Sequence, residues 1–300
     1  MSILSYVNIS ETVIHSRTTA ELASAAKKQG KKVIQSLGSY WQESIPGYFE
    51  PMHWLSRMTI DQVKRPTPYC WGYRSTLQLD NISYANGYMP IHLLDDVDNY
   101  REASLPSKRR NQLRKSRKIV SVVQICDPQL LFDQGYHVLK SAVQRTGHGS
   151  VPSFTQYCFN IQQQIINSKS ITLAGLVNGN LAGYMVLSAV DDIMYIDTVV
   201  LASDYLSTDI GTSLIFEAVQ VARRSEQIKI VVYGLHSIED PKLGVFKDGM
   251  GFNVRFWPLR YQIPSVLLKY MGWRAPEKLY RLTGLNNLQP RGFLNDTKNV

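Results

Sequence analysis

Three hundred residues suffice for one large domain or two modest ones, and a hydrophobic share of 44 % is that of a globular chain with a sizeable core. No run approaches the about 18 apolar residues of a membrane span, and the opening MSILSYVNISETVIH lacks the basic-then-apolar pattern of a secretory signal. Three scattered cysteines (Cys70, Cys126, Cys158) offer neither metal-ligand spacing nor a full disulfide framework, so the expectation is a soluble, reduced, cytoplasmic protein with no metal. Net charge is +9, yet seven of the 33 basic residues fall in residues 107–118, SKRRNQLRKSRK, which hold no acid. The remainder is nearly neutral, so a partner that needs positive charge meets it at one place.

In chain order, residues 1–36 are polar and Ala/Lys-rich, with a helical tendency at Ala20–Lys32 that reads as a docked helix or a loose arm. Residues 37–100 read as strands and turns, within a partial N-terminal subdomain at 37–103. A strand is expected over Cys70–Leu79, with Pro66, Pro68, Asn86-Gly87 and Pro90 as punctuation. The basic run is expected to be helical, capped by Ser104 or Ser107. A β-branched strand follows at Ile119–Ile125, then helices over Gln129–Arg145 and Pro152–Ser168.

From there the pattern is sharp. Ile171–Val177, Leu181–Val190 and Ile193–Leu201 form three strands joined by turns at Asn178-Gly179-Asn180 and Asp191-Asp192. Apolar residues at Leu214, Phe216, Ala218, Val219 and Ala222 give Ile210–Arg224 a helix period. Ile228–Leu235 is a further strand, and a short helix then closes on FKDGMGF, residues 246–252. The segment from Val254 is aromatic and basic, broken by Pro258, Pro264 and Pro276.

A three-stranded antiparallel meander followed by a helix, a strand and a short helix ending in Gly-x-Gly-Phe resembles the GCN5-related N-acetyltransferase (GNAT) superfamily. Two phrases, SKRRNQLRKSRK and GLHSIEDPKLGVFKDGMGF, are similar to its FemAB-like and acetyltransferase 6 branch. The resemblance covers residues 104–256 well and 37–103 loosely. It implies an α/β (α+β) fold with a mixed, mostly antiparallel sheet flanked by helices and a partial N-terminal GNAT-like half. The implied domains are an arm or helix at 1–36, the partial subdomain at 37–103, a GNAT-like acyltransferase domain at 104–256 and a C-terminal extension at 257–300.

Acyl transfer needs a backbone N–H aimed at the reacting carbonyl. In the superfamily the third strand splays from its neighbour to free such amides, here around Val199, Val200 and Leu201. The loop and helix that follow hold a diphosphate by N–H groups and the helix dipole, which assigns Ser207, Thr208, Asp209, Ile210, Gly211 and Thr212 to the donor. The family's Arg/Gln-x-x-Gly-x-Gly/Ala loop reads here Leu206-Ser207-Thr208-Asp209-Ile210-Gly211, so only the last glycine matches. Asp209 stands where a glycine would admit phosphate; alternatively it is simply the helix N-cap.

Lys247 occupies the position of the superfamily's thiolate-protonating tyrosine. In FemAB-like transferases an FK pair stands there and its cation stabilises the acyl group; the plainer reading is a surface lysine beside Asp248. Asp197, a carboxylate in the apolar phrase MYIDTVV, is a candidate general base or a structural partner of a buried Arg or Tyr. His236 is a further base candidate or a structural strand-end histidine. His148, between two glycines, belongs to a loop bordering the acceptor or to a plain surface turn. Arg110, Arg114, Arg117 and Lys118 share a helix face suited to the phosphates of coenzyme A, a carrier-protein phosphopantetheine or tRNA.

The first functional expectation is an N-acyltransferase that moves an acyl group from acyl-CoA or an acyl carrier protein thioester to the primary amine of a small molecule, peptide or amino acid. The second is an aminoacyl-tRNA-dependent transferase of the FemAB kind. FemAB enzymes usually carry two complete GNAT-like halves, so the shortness of residues 1–103 favours the thioester. The third is a non-catalytic nucleic-acid-binding module on a transferase fold, disfavoured because no aromatic residues interleave the basic run. The aromatic tail from Phe256 to Leu285 reads as core packing, as a lid over an acyl chain, or as a peripheral membrane contact.

Overall fold

The computed structural model describes residues 6–147, 149–167 and 169–285. Its regular elements in chain order are Tyr6–Asn8 (β1), Thr19–Lys28 (α1), Val33–Ser36 (β2), Ser39–Ile45 (β3), Tyr48–Pro51 (β4), Gly72–Thr76 (β5), Gly87–Leu94 (β6), Ser107–Ser116 (α2), Val120–Ile125 (β7) and Tyr136–Thr146 (α3). There follow Phe154–Asn167 (α4), Ile171–Val177 (β8), Asn180–Val190 (β9), Ile193–Leu201 (β10), Ile210–Arg224 (α5), Ile230–Leu235 (β11), Pro241–Gly249 (α6), Asn253–Gln262 (β12), Ser265–Arg274 (α7) and Pro276–Thr283 (α8). The expected class holds: mostly antiparallel strands flanked by helices. Two units share the chain: one takes residues up to Arg17, Leu93–Gly234 and Val245–Asn253, the other Thr18–His92, Leu235–Gly244 and the chain from Val254.

The first unit orders its strands β1-β7-β8-β9-β10-β11. All neighbours are antiparallel except β10 and β11, which run parallel. Asn178 and Gly179 join β8 to β9 with φ of 50° and 80°. That left-handed pair matches the strands' twist, which is why an Asn-Gly sequence makes this hairpin. Alternate residues of the central strands go to opposite faces: Leu173 and Met185 pack under α5, Ala174 and Tyr184 under α3 and α4. Both faces are covered, so the strands read as nearly continuous apolar runs. Helix α5 buries Ile210, Leu214, Ile215, Ala218, Val219 and Ala222 completely. It seats closely because Gly175 leaves room; a Cβ there would lie 2.7 Å from Ile210 Cδ1.

The second unit orders its strands β6-β12-β5-β4-β3-β2, around a core that includes Trp41, Phe49 and Leu77. A capping box of Thr18 and Glu21 starts α1, which buries Ala23 and Ala26 beside Val33. Two prolines expected to break the chain instead lie inside strands, Pro90 in β6 and Pro258 in β12. Each lacks an N–H but still accepts through its carbonyl: Pro258 from the Leu77 amide, Pro90 from the His236 amide, both at 2.9 Å. Arg74 closes the end of α8 by donating to the carbonyls of Arg281 and Leu282 at 3.2 Å.

Other boundaries also shift. The strand expected over Cys70–Leu79 narrows to Gly72–Thr76, and a π-helical turn at Leu131–Gly135 leads into α3. Helix α2 begins at Ser107 after Pro106, with no side-chain cap; the Ser107 hydroxyl accepts from Arg110 instead.

Candidate active site

The parallel ladder between β10 and β11 is three residues long, Ile193–Tyr195 against Ile230–Val232, while β10 stays paired with β9 as far as Leu201. Past Tyr195 the two strands part. The N–H groups of β10 that face β11 lose their partner strand there, as acyl transfer requires.

Asp197 sits just beyond this point, at a bulge where the β9–β10 register slips between Ile196 and Thr198. A bulge re-aims the side chain of the extra residue. Asp197 is exposed by surface area while protein crowds its carboxyl at longer range. That combination suits a strand facing an opening instead of a neighbour. Desolvation raises the carboxyl to about 6, and a hydrogen bond with the Ser188 side chain offsets part of the rise.

Beyond Leu201 the chain makes a 3-10 turn over Ser203–Thr208 that leads into α5. Its geometry is fixed from α3. The Ser203 amide donates to Ser141 Oγ at 3.0 Å, and Arg145 donates to the Leu201 carbonyl at 2.8 Å and to Ser203 Oγ at 3.1 Å. Ile210 and Gly211 open α5, and their amides have no helical partner one turn back. Asp209 takes a left-handed conformation with φ of 57°, as the family's glycine could. It is no cap: its side chain makes no bond to the helix start. It accepts instead from Gln112 of α2 at 2.8 Å, and Gln112 in turn accepts from Arg109 at 2.8 Å. A carboxylate therefore lies at the helix N-terminus, tied to α2 and attracted by a half-buried guanidinium. Desolvation lowers the Arg109 pKa and the charge of Asp209 partly restores it.

FKDGMGF reaches this network from the other side. The Arg109 guanidinium stacks 4.6 Å from the Phe246 ring, and a Cβ on Gly249 would press on Arg109 Nε at 2.8 Å. The Phe252 amide donates back to the Lys247 carbonyl at 3.0 Å to close α6, with Gly251 left-handed at φ of 90°. The fully buried Phe252 ring meets the Tyr233 ring edge-on at 5.4 Å. Lys247 is only 6 % exposed, and its Nζ lies 4.8 Å from the Tyr233 ring centroid. The surface-lysine alternative is therefore set aside, because a buried ammonium needs π-electron or oxygen partners.

Tyr233 is one residue past the last β10–β11 pair and Asp197 two residues past it. Lys247 and Asp197 thus belong to opposite banks of the same opening. Gly234, with φ of 78°, bends β11 where it leaves the ladder.

His236 belongs to the second unit, where its Nδ1 is 3.1 Å from Nε2 of the fully buried His92. His148 lies outside the described residues. Ser207 is exposed on the turn, Thr208 donates to the Tyr205 carbonyl at 2.6 Å, Thr212 is buried in α5, and Val199 and Val200 lie on β10. The basic face of α2 is partly neutralised by acids from outside its run. Glu102 pairs with Arg114 at 2.6 Å and with Arg117 at 3.1 Å, and Glu217 with Arg117 at 3.0 Å; Arg110 bonds Ser107. Sequence reasoning did not single out Gln112, Arg145, Tyr233 or His92. Arg109 stood in the basic run without a role, and the partners of the others are too distant in sequence to give a local signal. Among the described residues, no group of three or more His, Cys, Asp or Glu is placed to hold a metal.

The acetyltransferase (GNAT) family model matches residues 135–252. No curated protein matches the chain in sequence. Among solved structures, the chain is similar to the C-terminal domain of an Agrobacterium fabrum protein assigned as a lysylphosphatidylglycerol synthetase, with a TM-score of 0.59 and 10 % identity over 85 % of this chain and 97 % of that one. It is also similar to FemX, with a TM-score of 0.57 and 8 % identity over 88 % of this chain and 96 % of that one. A conserved protein of unknown function from Bacteroides thetaiotaomicron gives a TM-score of 0.54 and 10 % identity over 86 % and 99 %. At such identities the likeness is one of fold.

Proposed function

We propose, for a chain that carries a GNAT-superfamily domain over residues 135–252, that it is an acyltransferase whose donor is an aminoacyl ester of the aminoacyl-tRNA kind and whose acceptor is a primary amine. The observation that carries the choice of donor is the Asp209 carboxylate at the N-terminus of α5. A coenzyme A diphosphate would need that place. There it would meet like charge at close range, which costs on the order of a few kcal/mol at a part-buried position. Likeness of fold to FemX and to the lysylphosphatidylglycerol synthetase domain is compatible with this donor. The second unit draws strand β12 and helices α7 and α8 from the end of the chain, so the shortness of residues 1–103 no longer favours a thioester.

In this reading the acyl carbonyl enters where β10 and β11 part. The acceptor amine attacks it and gives up a proton, for which Asp197, raised to about 6, is a base matched to neutral pH. The tetrahedral oxyanion meets the unpaired amides of β10 and the charge of Lys247. Collapse expels the ribose oxygen, which takes up a proton to leave as the hydroxyl. The exposed basic residues Lys108, Lys115 and Lys118 of the α2 segment offer charge to a nucleic-acid backbone.

One observation favours a thioester donor as the second reading: the open amides of Ile210 and Gly211, with Arg145 close to the preceding turn, remain an anion site once Asp209 is ignored. A transfer assay separates the two. The protein is incubated with a panel of amines and either charged tRNA or acyl-CoA, and products are read by mass spectrometry. Products from charged tRNA alone support the proposal; products from acyl-CoA alone overturn it in favour of the thioester.

A further inference from the structure

We propose that α7 is a membrane-docking element that seats this protein on an anionic lipid surface. Val266, Tyr270 and Trp273 are 78 %, 56 % and 77 % exposed. Their spacing of four and three residues places them in one stripe along the helix. Isolated exposed apolar side chains are ordinary, but a continuous stripe with two large aromatics marks a contact surface. No residue of α7 is buried.

The charge around the stripe selects the occupant. Lys269 and Arg274 flank it, and α7 contains no acid; the Arg274 guanidinium lies 5.7 Å from the Trp273 ring. Residues 254–285 carry six basic side chains and a single acid, Glu277; of the six, Arg281 is paired with Glu239 at 3.1 Å. A protein partner would suit mixed charge at the rim, whereas a layer of anionic lipid headgroups presents net negative charge over its whole surface. Tyr and Trp carry an apolar ring and a polar tip, which suits the boundary between headgroups and acyl chains. Beside the stripe, an open hollow of about 530 Å³ is walled by Leu268, Gly272, Trp273, Leu279 and Leu285 with Lys269 among them. It offers an acyl chain apolar walls while the Lys269 ammonium reaches a phosphate. The stripe would enter the acyl boundary, and Lys269, Arg274 and Lys278 would meet headgroups.

The inference stands apart from the donor proposal, because it concerns binding and not turnover. The full chain is mixed with vesicles of phosphatidylcholine and with vesicles of an equal mixture of phosphatidylcholine and phosphatidylglycerol, then sedimented. The protein is expected to pellet with the anionic vesicles, to stay in solution with the neutral ones, and to be released by high salt. Lys269→Glu with Arg274→Glu should weaken binding about thirtyfold or more, and Trp273→Ser with Tyr270→Ser about tenfold or more. Both pairs are solvent-exposed, and an unchanged thermal midpoint shows that the fold is intact. Val266→Asp gives an independent loss at the third stripe position. No pelleting of the wild type, equal binding to neutral vesicles, or pelleting unaffected by all three variants overturns the proposal, as does a stripe that mediates dimers in solution instead.

Discussion

Replacing Lys247 with methionine separates its charge from its packing. Methionine keeps an unbranched apolar chain of nearly the same length, so the space filled by a residue only 6 % exposed stays largely filled. Among the contributions that leave with the ammonium, its attraction to the Tyr233 ring at 4.8 Å, about 1–2 kcal/mol when desolvated, opposes a desolvation cost of several kcal/mol. Stability should therefore change far less than turnover. Catalysis should not be spared, because loss of one preorganised oxyanion stabiliser costs about a hundredfold to a thousandfold in kcat, roughly 3–4 kcal/mol of barrier. The assay is steady-state transfer with the donor that supports turnover, alongside a thermal melt of the same preparation. A fall in kcat with an unchanged KM and an intact melt is the expected pair. Unchanged kcat with a lowered melting temperature would refute the reasoning and make Lys247 a structural cation.

The pH profile should carry the signature of Asp197. With its carboxyl raised to about 6, kcat/KM should fall as pH drops through that value, and Asp197→Asn should abolish turnover or flatten this limb. A wild-type profile with no inflection near there removes the base assignment. The same shift has a stability consequence of definite sign. Between the unfolded carboxylate range and about 6, the folded state binds the extra proton, so stability attributable to this group falls as pH rises through that window. Melts of Asp197→Asn should lack that slope. Gly234→Ala places a side chain at a φ of 78°, which costs about 1–2 kcal/mol and should lower the melting temperature by several degrees; an unchanged melt would mean that β11 does not bend there in solution.

Where the sequence speaks through local periodicity, it is legible almost to the residue. The apolar strand runs of 171–201, the left-handed Asn-Gly at 178–179 and the helix period of 210–224 all reappear in β8, β9, β10 and α5. FKDGMGF was readable as well, because its glycines and phenylalanines are demanded by a helix that must close, admit Arg109 and wedge against Tyr233. Pro90 and Pro258 misled because a missing N–H weakens only one side of a strand, and whether that side needs a donor is decided by a distant neighbour. The charge of α2 is only partly legible for a similar reason: Glu102 and Glu217 answer two of its arginines, Arg114 and Arg117, from outside the run. Asp209 was recognised as the departure from the family's loop, but its tie to Gln112 spans 97 residues, and that of His236 to His92 spans 144. Such pairings are set by topology, which local patterns do not encode.

The choice of donor rests on Asp209, and binding tests it most directly. Wild-type protein and Asp209→Gly are titrated, at one stated salt concentration, with acyl-CoA and with a non-hydrolysable aminoacyl-tRNA analogue. Wild-type protein should bind the tRNA analogue and leave acyl-CoA free, with acyl-CoA affinity rising about tenfold or more once glycine removes the opposing charge. Tight acyl-CoA binding by the wild type, unimproved in Asp209→Gly and unmatched by the tRNA analogue, would contradict the account.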